Sequence, residues 1–427
     1  MNETSVQKHA IDKPLLLVVL TLLTLGIVMV YSASNVIALD KFGSSAHFLK
    51  QQFIRVLIGF AILVFATKYD YHKYRSKTML LVLISFILLV IVLGLGQIKG
   101  AARWLQLGGF GIQPSEIAKL AIIFYLAAYL DRKGERIKDF QNGLLPPLIM
   151  AGVFCFMIML QPNFSTAAVL RLIVLAILFI GGMRVQHLGM MALVAIPTAI
   201  AVVVLSPYRR ARLMTVLDPA ADAQGSGYQI KQSLISFANG GLTGSGIGQG
   251  KQKFLFLPEP FTDFIYSIVG EELGFIGAVF VLVLFVIFLF RAMKIARMAP
   301  DLYGFYVGAG ITISIVGYAL INAGVATGLF PTTGLPMPFI SYGGSSLLFT
   351  CFTVGVLLNI STQTVSKEEA MQRTSKEKKS NNFTMNFNVD DTTQENIIPA
   401  MKQEQKKDLQ EKQPASRPSI VGIDLSD

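Results

Sequence analysis

The sequence predicts an all-α membrane protein: a polytopic bundle of about ten transmembrane helices with a large extracytoplasmic loop between helices 7 and 8. Three observations carry this expectation. Of 427 residues, 53% are hydrophobic and 15% charged, and the mean hydropathy is +0.56, too apolar for a soluble domain of this length. Apolar stretches of roughly 20 residues, the length that crosses a hydrocarbon core of about 30 Å, recur along most of the chain. Basic residues cluster at alternate ends of those stretches, as orienting charges do.

The expected spans are Pro14 to Ser34, Gln51 to Thr67, Thr78 to Gly96, Pro114 to Leu130, Leu145 to Leu160, Thr166 to Gly181, Leu188 to Ser206, Phe264 to Phe290, Tyr303 to Gly324 and Ser346 to Ile360. The first is long enough to span and is read as the first helix, not as a cleaved signal peptide. An even number of crossings returns the chain to its starting side. The net charge of +11 divides into Lys68, Lys73, Arg75 and Lys77; Arg132, Lys133, Arg136 and Lys138; and Arg291, Lys294 and Arg297. All three clusters share a side if the N-terminus is cytoplasmic, which predicts a multi-pass membrane protein with both termini cytoplasmic. This topological use of the charge displaces nucleic-acid binding as a function. Cys155 and Cys351 both lie in apolar segments and indicate neither a disulfide framework nor a metal site.

The chain thus divides into a cytoplasmic segment, residues 1–13, a transmembrane domain, 14–361, and a disordered cytoplasmic tail, 362–427, where Lys, Glu, Gln, Asn and Ser dominate. Three outward connections depart from ordinary polar loops. Lys99 to Glu116 holds the only Trp and several glycines, so it is expected to dip back towards the membrane. Pro207 to Asp263 begins with Arg209, Arg210 and Arg212, carries a Gly-rich stretch from Gly240 to Gly250, and ends in FLPEPFTDF. Thr327 to Ser345 carries three prolines and repeated glycines, which exclude a regular helix. Loops of this length and apolarity line cavities or fold onto helices.

Ionisable groups at membrane depth are expensive and are therefore functional candidates. Glu116 and Lys119 lie one helical turn apart after Pro114 and can pair on one face, either as a structural ion pair or as part of a site. Asp263 stands at the outer mouth of the eighth span, with Glu271 and Glu272 about two turns inside it. Thr262 or Asp263 could serve simply as an N-cap. A carboxylate half removed from water also gains the basicity that general-base work requires. Arg103, Arg209, Arg210 and Arg212 fall on the outer side, against the orienting rule. They suit a phosphorylated lipid, whose pyrophosphate would be held by guanidinium forks and the N–H groups of Gly-rich turns; long loops that escape the charge rule are the plainer account.

At this point KGAARWLQLGGFGIQPSEIAKL, FLPEPFTDFIYSIVGEELGF and GLFPTTGLPMPFISYGGSSLL, supported by VMVYSAS in the first span, resemble the shape, elongation, division and sporulation family, the polytopic FtsW/RodA/SpoVE glycosyltransferases of bacterial cell-wall synthesis. The likeness covers about residues 14 to 361 and is nearer the division-type branch. It implies polymerisation of lipid II into β-1,4 glycan strands with release of undecaprenyl pyrophosphate at the division septum. Asp263, in the family's Thr-Asp-Phe motif, would be catalytic. Arg103, Glu116, Lys119, Arg209, Arg210, Arg212, Glu259, Thr262, Ser341, Gly343, Gly344 and Ser345 would contact substrate. The resemblance also implies a class B penicillin-binding protein transpeptidase and other division proteins as partners. No metal ligands and no definite cofactor follow; a divalent cation, Mg or Mn, is the one candidate left open. Two positions depart from the family pattern: Phe261 stands where a His is common, and Asn163 where an Asp is common. The rival functions are a lipid II flippase and a non-catalytic divisome scaffold, from which a single outward-facing base at Asp263 would distinguish a polymerase.

Overall fold

The computed structural model describes residues 10–95, 103–107, 110–206, 210, 212–215, 225–254 and 256–364. The tail from residue 365, expected to be disordered, and Arg209 lie outside the described residues. Helices occupy all ten expected spans: α1 (Lys13–Phe42), α2 (His47–Lys68), α3 (His72–Gly94), α4 (Pro114–Lys133), α5 (Leu145–Leu160), α6 (Phe164–Ile180), α7 (Val185–Val204), α9 (Ile265–Arg297), α10 (Leu302–Ala326) and α11 (Ser345–Thr362). Seven helical segments among the described residues are both long and apolar enough to cross a membrane.

α1 overruns its expected end because nothing after Ser34 breaks a helix until Gly43, whose φ of 69° makes the left-handed cap. At its start, Asp12 accepts from Leu15 N at 2.8 Å and also pairs with Arg291 at 2.6 Å. Asp301 caps α10 and accepts from His72 Nε2 at 2.8 Å, while Asn359 of α11 accepts from Tyr71 N at 2.9 Å. One face of the bundle therefore gathers the start of α1, the α2–α3 and α9–α10 links and the end of α11.

α4 and α10 are the most enclosed helices among the described residues. From Leu120 to Leu130 every residue of α4 is buried, and α10 is lined by buried residues on nearly all sides. α2 and α3 instead present Phe53, Ile54, Leu57, Leu80 and Leu83 outward, as a lipid-facing surface should. The core is the α4–α10 pair with α6, α9 and α11 around it.

Two elements were not expected. Leu105–Leu107 and Phe110–Ile112 pair as an antiparallel β1–β2 hairpin, with Leu105 opposite Ile112, where the sequence was read only as a membrane-dipping loop. Within the long outer connection, Ser226–Gly240 forms α8, burying Ile230, Ser233 and Ser236.

α9 is broken at Gly274, where φ is 69° and ψ −169°. The Gly-rich stretch repairs the break: Phe275 N donates to Gly241 O at 2.9 Å and Ile276 N to Leu242 O at 3.2 Å, while Ser245 N and Gly246 N donate to Glu271 O and Glu272 O at 3.0 Å each. Such a break is tolerated in a bundle only when neighbours satisfy the freed groups. Close approach demands glycine here, since a Cβ on Gly244, at φ +83°, would lie 2.2 Å from Glu272 O.

Candidate active site

The Gly-rich stretch was expected to cradle a pyrophosphate, and the structure corrects this. Its N–H groups already hold carboxylates of the protein itself: Gly248 N donates to Glu272 at 3.0 Å and Lys251 N to Glu271 at 2.8 Å. Lys253, almost wholly buried, completes the arrangement by contacting Glu272 at 3.1 Å, Gly248 O at 2.6 Å and Ser32 Oγ at 3.3 Å. A Gly-rich turn is a ready anion site, and here the anions are Glu271 and Glu272.

Asp263 lies just before α9, in a loop stitched to the Pro-rich connection between α10 and α11. Ser341 is the stitch. Its hydroxyl donates to Thr262 O at 2.6 Å and accepts from Met337 N at 2.8 Å, while Tyr342 N donates to Phe261 O at 2.8 Å. Thr262 Oγ1 donates to Glu259 Oε2 at 2.8 Å, so Thr262 orders its own loop. Glu259 and Phe339, one in each loop, hold positive φ angles of 52° and 67°, strained conformations of the kind that collect at functional sites.

The Asp263 carboxylate is partly buried and rests against exposed Gly334, where a Cβ would stand 3.6 Å from Oδ2. Removal from water raises its pKa to about 6; the Glu259 carboxylate pushes the same way and the Arg212 guanidinium opposes both. Among the described residues it forms no ion pair. A base that is ionised near neutrality and has no ion pair among the described residues is suited to accept a proton from a hydroxyl.

Glu116 and Lys119 pair as the spacing implied, at 2.8 Å on α4, and Lys119 Nζ lies 4.0 Å above the Tyr318 ring. With Met337, Ser341 and Ser346 they line a cavity of about 30 Å³, room for one or two waters. Ser341 thus lies between this ion pair and the Asp263 loop. Ser345 Oγ accepts from Gln113 N at 3.1 Å, and Gly344 lies against the Gly111 carbonyl of β2, so this end of the loop abuts the hairpin. Gly343 adjoins it in the same connection.

Arg103 is held elsewhere, donating to the carbonyls of Gln161 and Pro162 in the α5–α6 turn. Arg212 reaches the Asp263 region through its charge, and Arg210 is exposed. Phe261 fills the place of the expected His by packing 4.7 Å from Phe48 and 5.6 Å from Tyr342, between ring centroids. Asn163 is buried at the start of α6. No group of three or more His, Cys, Asp or Glu side chains among the described residues could hold a metal ion.

Sequence reading missed Asn322, whose amide donates to the carbonyls of Asp263 and Leu335 at 2.8 Å each. The available signal was an amide side chain inside an otherwise apolar span, where polar groups serve as interhelical ties.

The family model for FtsW/RodA/SpoVE, described as cell cycle protein, matches residues 13–366. The chain is 44% identical over 353 residues to a probable peptidoglycan glycosyltransferase FtsW of Trichlorobacter lovleyi, covering 82% of this chain and 93% of that protein. Stage V sporulation protein E of Bacillus subtilis is 44% identical over 358 residues, covering 83% and 98% respectively. Among solved structures, the rod shape determining protein RodA of Thermus thermophilus superposes with a TM-score of 0.63 at 26% identity, covering 84% of this chain and 99% of that one. A chain from a peptidoglycan synthase complex, described as coordinating polymerization and crosslinking, gives 0.69 at 29% identity, covering 82% and 98%.

Proposed function

The chain belongs to the FtsW/RodA/SpoVE cell cycle protein family, and from that premise we propose that it is a peptidoglycan glycosyltransferase whose general base is Asp263. It polymerises lipid II into β-1,4 glycan strands. The observation that carries the assignment of the base is its setting: a partly buried carboxylate beside exposed Gly334, with its pKa raised to about 6 and no ion pair among the described residues.

In the reaction, Asp263 takes the proton of the acceptor sugar's 4-hydroxyl as that oxygen bonds to the anomeric carbon of the donor. The anomeric C–O bond to phosphate breaks with inversion, and undecaprenyl pyrophosphate leaves with the electron pair. Arg212, close enough to act on the charge of Asp263, together with Arg210 and Arg209, supplies positive charge for the departing pyrophosphate. Arg103 serves the substrate through the α5–α6 turn that it holds. Glu116 orients Lys119 at the cavity beside Ser341, and Gly343, Gly344 and Ser345 give the acceptor a wall of close backbone. Glu259 and Thr262 shape the loop and its field. The described residues form no cluster that could hold a metal ion, and no step is routed through Mg or Mn.

The reading also takes the face gathering Asp12, His72, Asp301 and Asn359 as cytoplasmic, because the Lys- and Arg-rich clusters flank it. Both ends of the transmembrane domain, residues 14–361, then lie in the cytoplasm of a bacterial inner-membrane protein, with Asp263 on the outer side. Similarity to a chain of a peptidoglycan synthase complex supports a class B penicillin-binding protein as partner, and the division-type motifs support work at the septum. Purified protein incubated with lipid II should yield glycan strands, and Asp263→Asn should not. A folded Asp263→Asn protein that polymerises at the normal rate overturns the assignment of the base.

A further inference from the structure

Asn322 is 1% exposed and sits near the end of α10. Both of its amide N–H bonds are committed, to Asp263 O and to Leu335 O, at 2.8 Å each. Two carbonyls can only accept, so the nitrogen, and not the oxygen, must face them. The acceptors are not arbitrary. One belongs to the residue that carries the carboxylate; the other follows Gly334, where a Cβ would stand 3.6 Å from that carboxylate. A single planar group therefore fixes the two main chains on either side of Asp263 Oδ2. Ser341 ties the same loops one step further along, through Thr262 O.

We propose that Asn322 is a positioning residue for proton abstraction, setting where the Asp263 carboxylate lies relative to Gly334 and the Pro-rich loop. The inference rests on the glycosyltransferase reading above. Without the amide, both carbonyls lose their donor, the start of α9 is free to drift from the Pro-rich loop, and water reaches the carboxylate. A displacement of about 1 Å at a reacting group costs up to roughly 100-fold in rate. Better solvation returns a carboxylate towards its ordinary, lower pKa.

Asn359 provides the control. It is also a buried amide with two main-chain partners, Tyr71 N at 2.9 Å and Thr67 O at 2.8 Å, but on the opposite face of the bundle. Full-length Asn322→Ala and Asn359→Ala are compared in detergent for thermal midpoint, lipid II binding, and glycan synthesis across pH. Both should lose stability. Only Asn322→Ala should lose turnover, by about 10- to 100-fold, with KM for lipid II within about threefold of wild type and the acid limb of the rate profile moved to lower pH. If Asn322→Ala does not fold, Asn322→Ser, which keeps one donor, is read by the same split. An Asn322 variant that matches Asn359→Ala in rate and pH profile overturns the positioning role alone. A wild-type protein that binds lipid II and makes no glycan overturns the glycosyltransferase reading, and this inference with it.

Discussion

Glycan synthesis should fall on acidification, with a midpoint set by Asp263. Its pKa of about 6 leaves roughly nine-tenths of the carboxylate ionised at pH 7 and about one-tenth at pH 5, so kcat/KM should drop close to tenfold over that interval. The same shift affects folding with the opposite sign. The folded-state pKa lies above the ordinary 3.8, so the folded protein holds this proton more tightly than the unfolded chain does. The stability linked to it is complete below about pH 4 and is lost as pH rises through about 6. Asp263→Asn removes the titration, and should stabilise the protein at pH 7 by up to about 3 kcal/mol, with the gain fading below pH 4. One substitution therefore abolishes synthesis and raises the melting temperature, the trade expected at a site held in an unfavourable state for function. The assays are lipid II polymerisation and thermal unfolding of both proteins from pH 4 to 8. A rate profile flat between pH 5 and 7, or an Asp263→Asn protein less stable than wild type at pH 7, would refute the reasoning.

Three further outcomes are expected. Glu259→Gln removes a charge that holds the Asp263 pKa up, and Arg212→Gln one that holds it down, so the acid limb of the rate profile should move to lower and higher pH respectively. Lys253→Met leaves Glu272 charged and unpaired in a site where the two side chains are 1% and 0% exposed; a loss of about 3 to 5 kcal/mol is expected in denaturant or thermal unfolding, largely recovered by adding Glu272→Met. Gly244→Ala places a Cβ 2.2 Å from Glu272 O at a φ of +83°, and should lower the yield of folded protein more than alanine at exposed Gly43, which has open space around it.

The spans were legible because a membrane helix announces itself by length and apolarity over some 20 residues, and because Asp263 and the Glu116–Lys119 pair stand out in so uncharged a chain. What was not legible depends on partners distant in sequence. The hairpin had a local signal, Gly108-Gly109 between LQL and FGI, the pattern of a two-residue turn. Lys253 had none: in sequence it is one more basic residue of an outer loop, and its partners Glu272 and Ser32 lie on two helices far apart in the sequence. The N–H groups of the Gly-rich stretch meet the protein's own carboxylates, a partner that pattern alone cannot tell from an external phosphate. Asn322 was overlooked because an amide in an apolar helix has as many uses as it has neighbours.

The pairing of charges bears on whether the chain transports or reacts. Glu116 is neutralised by Lys119, Glu272 by Lys253, Asp12 by Arg291 and Asp131 by Arg75, while Glu271 is held by main-chain N–H groups. Asp12 and Asp131 tie separate helices together, and each of these carboxylates is committed to a partner within the protein. Asp263 differs in that its stabilisation is incomplete, as a proton acceptor's must be. A transporter would move lipid II across a liposome membrane with little regard to a carboxylate at the outer lip, so Asp263→Asn should leave translocation unchanged under that reading. Under the polymerase reading, wild type should elongate glycan from lipid II supplied only on the Asp263 side, and Asp263→Asn should bind the lipid there without elongating it. Strand synthesis that requires substrate on the opposite face would refute this placement of the chemistry.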